Sequence, residues 1–276
     1  MTRSPFFEGL SRIPIRIAGH DAAVPFLIYD GDVMTAVFAA RYRELRRLLP
    51  DARFVPARIA PGVGIIAVNA GEYRRTDVGP YNELVVSIML NEPPFWLNFP
   101  GRALLGAHRR RQYHAFVQRV AVNTPVSFAG GEFYGFPKFM ARVEFSESGD
   151  ERVCRVMQDG QQILTLRGKR LATPHREEIQ TFCHLWSDRQ PQSCEFKINA
   201  LAFGGTSTPL AASIDISSSH PVAVELSQLL LWRRAIHFRR ITRFEGILYG
   251  PDRHSLALLR KARDLVAEGD LAVLSA

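Results

Sequence analysis

Apolar residues recur at every second position near the start of the chain, at Ile13, Ile15 and Ile17 and again at Phe26 and Ile28. That period predicts strands over the first ~30 residues, because successive side chains of an extended chain point to opposite faces. The period then changes. Val37, Phe38, Tyr42, Leu45, Leu48 and Leu49 follow helical spacing, Asp30 and Asp32 are placed to cap such a helix, and Pro50 ends it. Over residues 54–171 the pattern returns to short β segments, at 64–68, 83–90, 119–122, 141–145, 153–157 and 163–166, with Gly-Pro, Asp-Gly and Ser-Gly turn signals between them. Ser219 and Pro221 start a second helix that runs through Val224, Leu226 and Leu229 to Trp232. A strand is expected over 244–249, and Asp252 caps a C-terminal helix rich in Leu and Arg.

Many β segments with three helices describe an α+β design, a mostly antiparallel β-barrel or sheet with a few peripheral helices. A doubly wound sheet needs helices alternating with strands, and the pattern lacks them. Neither an internal repeat nor a Gly/Pro-rich linker divides the chain, so a single domain over residues 1–276 is expected.

Composition narrows the partners. With 46% hydrophobic and 22% charged residues the chain reads as a globular protein, and its net charge of +8 suits an anionic partner such as a small carboxylate. The densest basic cluster, His108-Arg109-Arg110-Arg111, is short and followed by a single ring, Tyr113, which argues against nucleic acid. Cys154, Cys183 and Cys194 are odd in number and lack CxxC spacing, and the eight histidines lack i, i+4 pairing, so neither a disulfide framework nor a metal site is indicated. No glycine-rich nucleotide loop is present. No apolar stretch reaches membrane-spanning length, and Met1 to Glu8 lack the apolar core of a signal peptide, so a cytoplasmic protein away from the membrane is expected.

Only four of the 35 basic residues are lysines: Lys138, Lys169, Lys197 and Lys261. Lys138 alone sits in an apolar, aromatic run, between Phe133, Phe136, Phe139 and Met140. A guanidinium stays charged, whereas a lysine in dry surroundings sheds its proton more readily and becomes an amine nucleophile. The competing use of such a lysine is to snorkel, its stem covering apolar surface.

The segment Gly130-Gly131-Glu132-Phe133-Tyr134-Gly135-Phe136-Pro137-Lys138 resembles the signature of the acetoacetate decarboxylase family, a Gly-x-Glu followed after three residues by aromatic-Pro-Lys. Further stretches agree in outline: Leu45 to Pro50, Gly79-Pro80-Tyr81-Asn82-Glu83-Leu84, Asp159-Gly160 and Ser219-His220-Pro221. The resemblance implies that Lys138 is a Schiff-base nucleophile, that the protein is a homo-oligomer, and that no cofactor is needed, because the lysine becomes the electron sink once it condenses with a carbonyl. Two departures stand out. Phe139 occupies the place where several members carry a second lysine, and the region of the family's carboxylate-binding arginine offers only His20. Near the family's glutamate before Gly79 lie Glu72 and Arg75.

On this reading Lys138, Glu132 and Glu83 are the catalytic candidates, and Tyr81, Arg75, Phe136 and Tyr249 the substrate-binding ones. Each has a plainer use: Glu132 bonding backbone amides at a turn, Glu83 and Arg75 exposed, Tyr81 packing. The expected reaction is decarboxylation of a 3-oxo acid through a Lys138 iminium. The same iminium supports aldol addition or dehydration of a pyruvate-like 2-oxo acid, and a member that only binds a ligand in the barrel is the third alternative.

Overall fold

The structure is a computed structural model that describes residues 4–91, 100–101, 109–187, 189–216 and 219–250. A hairpin of β1 (Ile13–Ile17) and β2 (His20–Val24) leads into the long β3 (Phe26–Arg41) and the short helix α1 (Tyr42–Leu48). Then come β4 (Arg58–Ala60), β5 (Val63–Thr76), β6 (Tyr81–Met89) and β7 (Gln112–Val122), followed by helix α2 (Pro125–Tyr134) and β8 (Lys138–Met140). The second half holds β9 (Arg142–Ser148), β10 (Glu151–Gln158), β11 (Gln161–Lys169), β12 (His175–Ser187), β13 (Gln190–Thr206), β14 (Ala212–Asp215), helix α3 (Pro221–Leu229) and β15 (His237–Leu248).

Seven strands close into a barrel in the order β12-β13-β15-β3-β5-β6-β7. Every neighbour pair is antiparallel except the seam, where β7 runs parallel to β12 from Gln112↔Gln180 to Phe116↔His184. Past that point β12 no longer follows, and the same edge of β7 pairs with β8, Val120 opposite Lys138. A short parallel strand thus enters the barrel wall at one end, and the lysine enters with it. The sheet β14-β11-β10-β9 packs on the outside of the barrel. Between them lies the main core, with Met34, Ala36, Phe38, Ile66 and Val68 meeting Val143, Cys154, Val156 and Leu164.

The helix expected after Asp30 is instead the 16-residue strand β3, and only its last part, Tyr42–Leu48, is helical. The cause is burial on both faces. Val33, Thr35 and Val37 face the barrel lumen, while Met34, Ala36 and Phe38 face the outer sheet. A strand buried twice loses its polar alternation, and its apolar positions mimic helical spacing. The two acids cap nothing: Asp30 pairs with Arg74, and buried Asp32 with Arg240 and Arg152. Helix α3 begins at Pro221 as expected, with His220 rather than Ser219 as its cap, accepting from the Val222 amide, and stops at Leu229, short of Trp232. The β segments agree with expectation, most of them longer than the pattern marked. At Asp159-Gly160 both residues take positive φ, as a two-residue hairpin turn requires. The long hairpin β12–β13 and helix α2 carried no sequence expectation. The expected C-terminal helix from Asp252 lies outside the described residues. Among the described residues, no helix is long and apolar enough to cross a membrane.

Candidate active site

Helix α2 positions the site. Thr124 caps it, its side chain accepting from the Ser127 amide, Pro125 occupies the first turn, and Gly135 ends it at φ 80. Two adjacent glycines argue against a helix on propensity, yet packing demands them. A Cβ on Gly130 would lie 3.2 Å from the Phe26 ring, and one on Gly131 would lie 2.1 Å from Lys138 Cδ. The helix therefore rests directly on the lysine stem. Tyr134 anchors it from the other side, donating to the Leu248 carbonyl at 3.0 Å with its ring 4.9 Å from that of Phe26.

The Lys138 amine is nearly enclosed, with its side chain 8% exposed, and faces a cavity of about 570 Å³ that occupies the barrel lumen. Nζ donates to the Ser127 carbonyl at 3.0 Å, pairs with Glu83 Oε2 at 3.1 Å, and stands over the Tyr81 ring at 5.4 Å. The other oxygen of Glu83 accepts from Tyr73 at 3.1 Å. Gly71, cross-strand partner of Glu83, makes room for that contact, since a Cβ there would lie 2.9 Å from the Tyr73 ring. Burial, and then the Glu83 carboxylate, push the Tyr73 and Tyr81 phenols well above their ordinary range, so both remain donors. The same two causes push the Cys183 thiol up to about 12. Lysine, carboxylate and two phenols thus form one buried cluster in a mainly apolar wall, with the groups needed to attack a carbonyl carbon and to move the protons that the attack requires.

Of the residues expected from sequence, Lys138, Glu83, Tyr81 and Phe136 all line this cavity. Glu132 does not: it is an exposed residue of α2, because the helix turns Gly131 toward the lysine and its neighbour toward solvent. Arg75 is exposed at the far end of β5, its guanidinium over the Tyr29 ring. Tyr249 packs with Phe7, Leu27 and Ile247 outside the lumen, and its predecessor Leu248 lines the cavity instead. His20 is exposed and bonded to the Asp77 carbonyl. The apolar cover of the amine is also not its sequence neighbours. Phe133 stacks near Phe26, Phe139 packs against the main core and Met140 is exposed, so only Phe136 of that run shares the lumen. Sequence reading passed over Tyr73, Gly131 and the Ser127 carbonyl. Strand parity could have found Tyr73, which shares its face with Asn69 and Ala67 and pairs with Tyr81 across the β5–β6 hairpin.

Among the described residues, no cluster of His, Cys, Asp and Glu could hold a metal ion. The family pattern described as acetoacetate decarboxylase (ADC) matches residues 12–199. No curated protein matches in sequence. Several solved structures share the fold. The enduracididine biosynthesis enzyme MppR complexed with pyruvate is 12% identical, with a TM-score of 0.57 over 90% of this chain and 93% of its own. Acetoacetate decarboxylase from Legionella pneumophila is 11% identical, with a TM-score of 0.55 over 82% and 86%. An acetoacetate decarboxylase-like enzyme from Sphingomonas wittichii RW1 is 14% identical, with a TM-score of 0.52 over 82% and 91%. With the family pattern spanning most of the chain, and with a buried lysine at the end of its aromatic-Pro-Lys motif facing the lumen, this protein belongs to the acetoacetate decarboxylase family.

Proposed function

We propose that the protein is a Schiff-base lyase that decarboxylates a 3-oxo acid at Lys138. The observation that carries this reading is the contact of a nearly enclosed amine with a buried carboxylate at the head of a large apolar cavity. Glu83 takes a proton from the Lys138 ammonium, and the freed amine attacks the ketone carbon. The carbinolamine loses water with a proton supplied from Glu83 or the Tyr81 hydroxyl, leaving an iminium. The bond between the carboxylate and the α-carbon breaks, its electron pair flows into the iminium, and carbon dioxide departs. The enamine takes a proton at the α-carbon, and water releases the ketone and restores the amine.

Glu83 also favours carbon dioxide loss over retention of the carboxylate. A substrate carboxylate near Nζ sits close to a second negative charge in an apolar wall, and its departure relieves both penalties. An aldol or dehydratase cycle keeps that carboxylate and needs a cation to hold it. The competing 2-oxo acid reading rests on the shared fold with pyruvate-bound MppR.

Borohydride added to protein incubated with 3-oxo or 2-oxo acids should leave a reduced adduct on the peptide bearing Lys138, and 3-oxo acids should release carbon dioxide. Lys138→Ala should do neither. Turnover by that variant at the wild-type rate, or labelling at another lysine, sinks the assignment. Adducts from pyruvate with no gas from any 3-oxo acid select the aldol reading.

A further inference from the structure

The lumen continues far beyond the amine. On β6 the inward positions measure its depth: Tyr81 and Glu83 stand beside Lys138, and Val85, Ser87 and Met89 continue on the same face. From Glu83 to Met89 is roughly 20 Å of strand at about 3.3 Å per residue. On the adjoining strands β5 and β3, small side chains such as Ala67, Val33 and Val37 face inward and leave the interior of a seven-strand barrel unfilled. Its volume of about 570 Å³ lies within the range of pockets that hold drug-sized molecules. Acetoacetate would occupy a small part of it.

The polarity of the wall says what kind of molecule fits. The buried ionic cluster is confined to the Lys138 end. Midway, Thr35 donates to the Asn69 side-chain oxygen at 2.8 Å, and Ser87, Tyr113, His114, Thr181, Ser207 and His237 are further polar side chains of a lining that is mainly apolar. Charge returns beside the Thr35–Asn69 pair on β15, where Arg239, the cross-strand partner of Thr35, lines the lumen already paired with Glu177. A sugar or an amino acid would set several polar groups against a lining made mainly of apolar side chains, which costs binding energy. An alkyl chain asks for none, and an apolar cavity of this kind accepts apolar guests.

We propose that the lumen is an acyl-chain tunnel, so that the substrate is an oxo acid with an extended apolar tail lying between Lys138 and Met89. Carbon–carbon bonds of ~1.5 Å zigzag along an extended chain and advance it about 1.3 Å per carbon, so a tail on the order of ten carbons matches that depth, allowing for the tilt of the strands to the barrel axis. This inference names the substrate class for the Schiff-base reading above and rests on it for the chemistry. The tunnel itself rests on the cavity alone.

The test is a homologous series of straight-chain 3-oxo acids lengthening from acetoacetate, followed by carbon dioxide release and borohydride trapping. Each added methylene should raise kcat/KM about fourfold until the tunnel is full. Ala67→Phe, which places a ring in the lumen, should lower the ratio of long-chain to short-chain kcat/KM at least ~10-fold. A second measurement needs neither turnover nor a variant: unreactive saturated fatty acids of the same lengths should displace N-phenylnaphthylamine from the wild-type protein, more tightly as they lengthen. A kcat/KM that stays flat or falls with length, with no length-dependent displacement, overturns the tunnel while trapping at Lys138 survives. Length-dependent displacement with no trapping at Lys138 supports the tunnel and removes the Schiff-base reading instead.

Discussion

Gly131→Ala isolates the placement of the Lys138 amine from the stability of the fold. A Cβ at this position would stand 2.1 Å from Cδ, 2.4 Å from Cε and 2.7 Å from Cγ of Lys138, where ordinary contacts begin near 3.4 Å. The lysine stem must therefore move by more than about 1 Å, and its amine cannot keep both the Ser127 carbonyl and Glu83. Misplacing a reacting group by that distance costs about 10²-fold in rate, or ~2.7 kcal/mol of transition-state stabilisation. The folded state is affected little. Alanine favours the α2 helix by about 1 kcal/mol over glycine, and a displaced, flexible lysine stem costs a similar amount in rotamer strain. The rate of borohydride trapping at Lys138 and the thermal midpoint, measured on the same preparations, separate the two effects. The expected outcome is trapping slowed about a hundredfold with the midpoint near that of the wild type. Wild-type trapping in a folded Gly131→Ala protein would show that the lysine does not lie against this helix, and the site geometry would fall with it.

Further outcomes follow from the same cluster. Glu83→Gln keeps the shape of the side chain and removes the proton acceptor beside the amine, so kcat/KM should fall about 10²–10⁴-fold while ligand displacement is retained. Tyr73→Phe leaves one oxygen of buried Glu83 without its donor; a loss of about 1–2 kcal/mol in urea unfolding is expected, and an unchanged midpoint would contradict the 3.1 Å bond. Acid should act through the histidine pair at the barrel seam. His114 Nδ1 and His184 Nε2 lie 3.0 Å apart, and burial, with His114 beside it, pushes His184 from its ordinary 6.5 down to about 4. The unfolded chain takes up this proton as pH falls through 6.5, whereas the native ring resists until about 4. Stability present above pH 6.5 is therefore lost between those values, by up to about 3 kcal/mol for this group. His184→Phe should flatten that part of a stability–pH profile, and a profile unchanged by the substitution would refute the assignment.

Local chemistry made a good part of this protein legible. A lysine in an aromatic-Pro-Lys motif, in a chain where only four of the 35 basic residues are lysines, marks the candidate nucleophile, because the amine's reactivity belongs to that residue type. The turn glycines and the β-rich pattern announced an antiparallel architecture, since positive φ and period two are properties of neighbours in the chain. Glu83 and Tyr81 were within reach as well, standing two residues apart on one strand face.

Tertiary structure decided the rest. Helix α2 turned Glu132 to solvent, and barrel closure left Arg75 and Tyr249 outside the lumen; parity groups Tyr73 with Asn69 and Ala67 on one face of β5, but closure decides which face becomes the inside. Burial on both faces hid β3 behind a helical pattern, and the close approach of α2 to the lysine required glycines that propensity alone would deny a helix. The amine's surroundings are likewise the work of distant strands: Glu83 reaches it from β6 and is itself held by Tyr73 from β5, in a lumen that exists only once seven strands have closed. A residue's chemistry travels with the sequence. Its partners and its dryness depend on contacts between segments far apart in the chain, and those are set when the whole sheet packs.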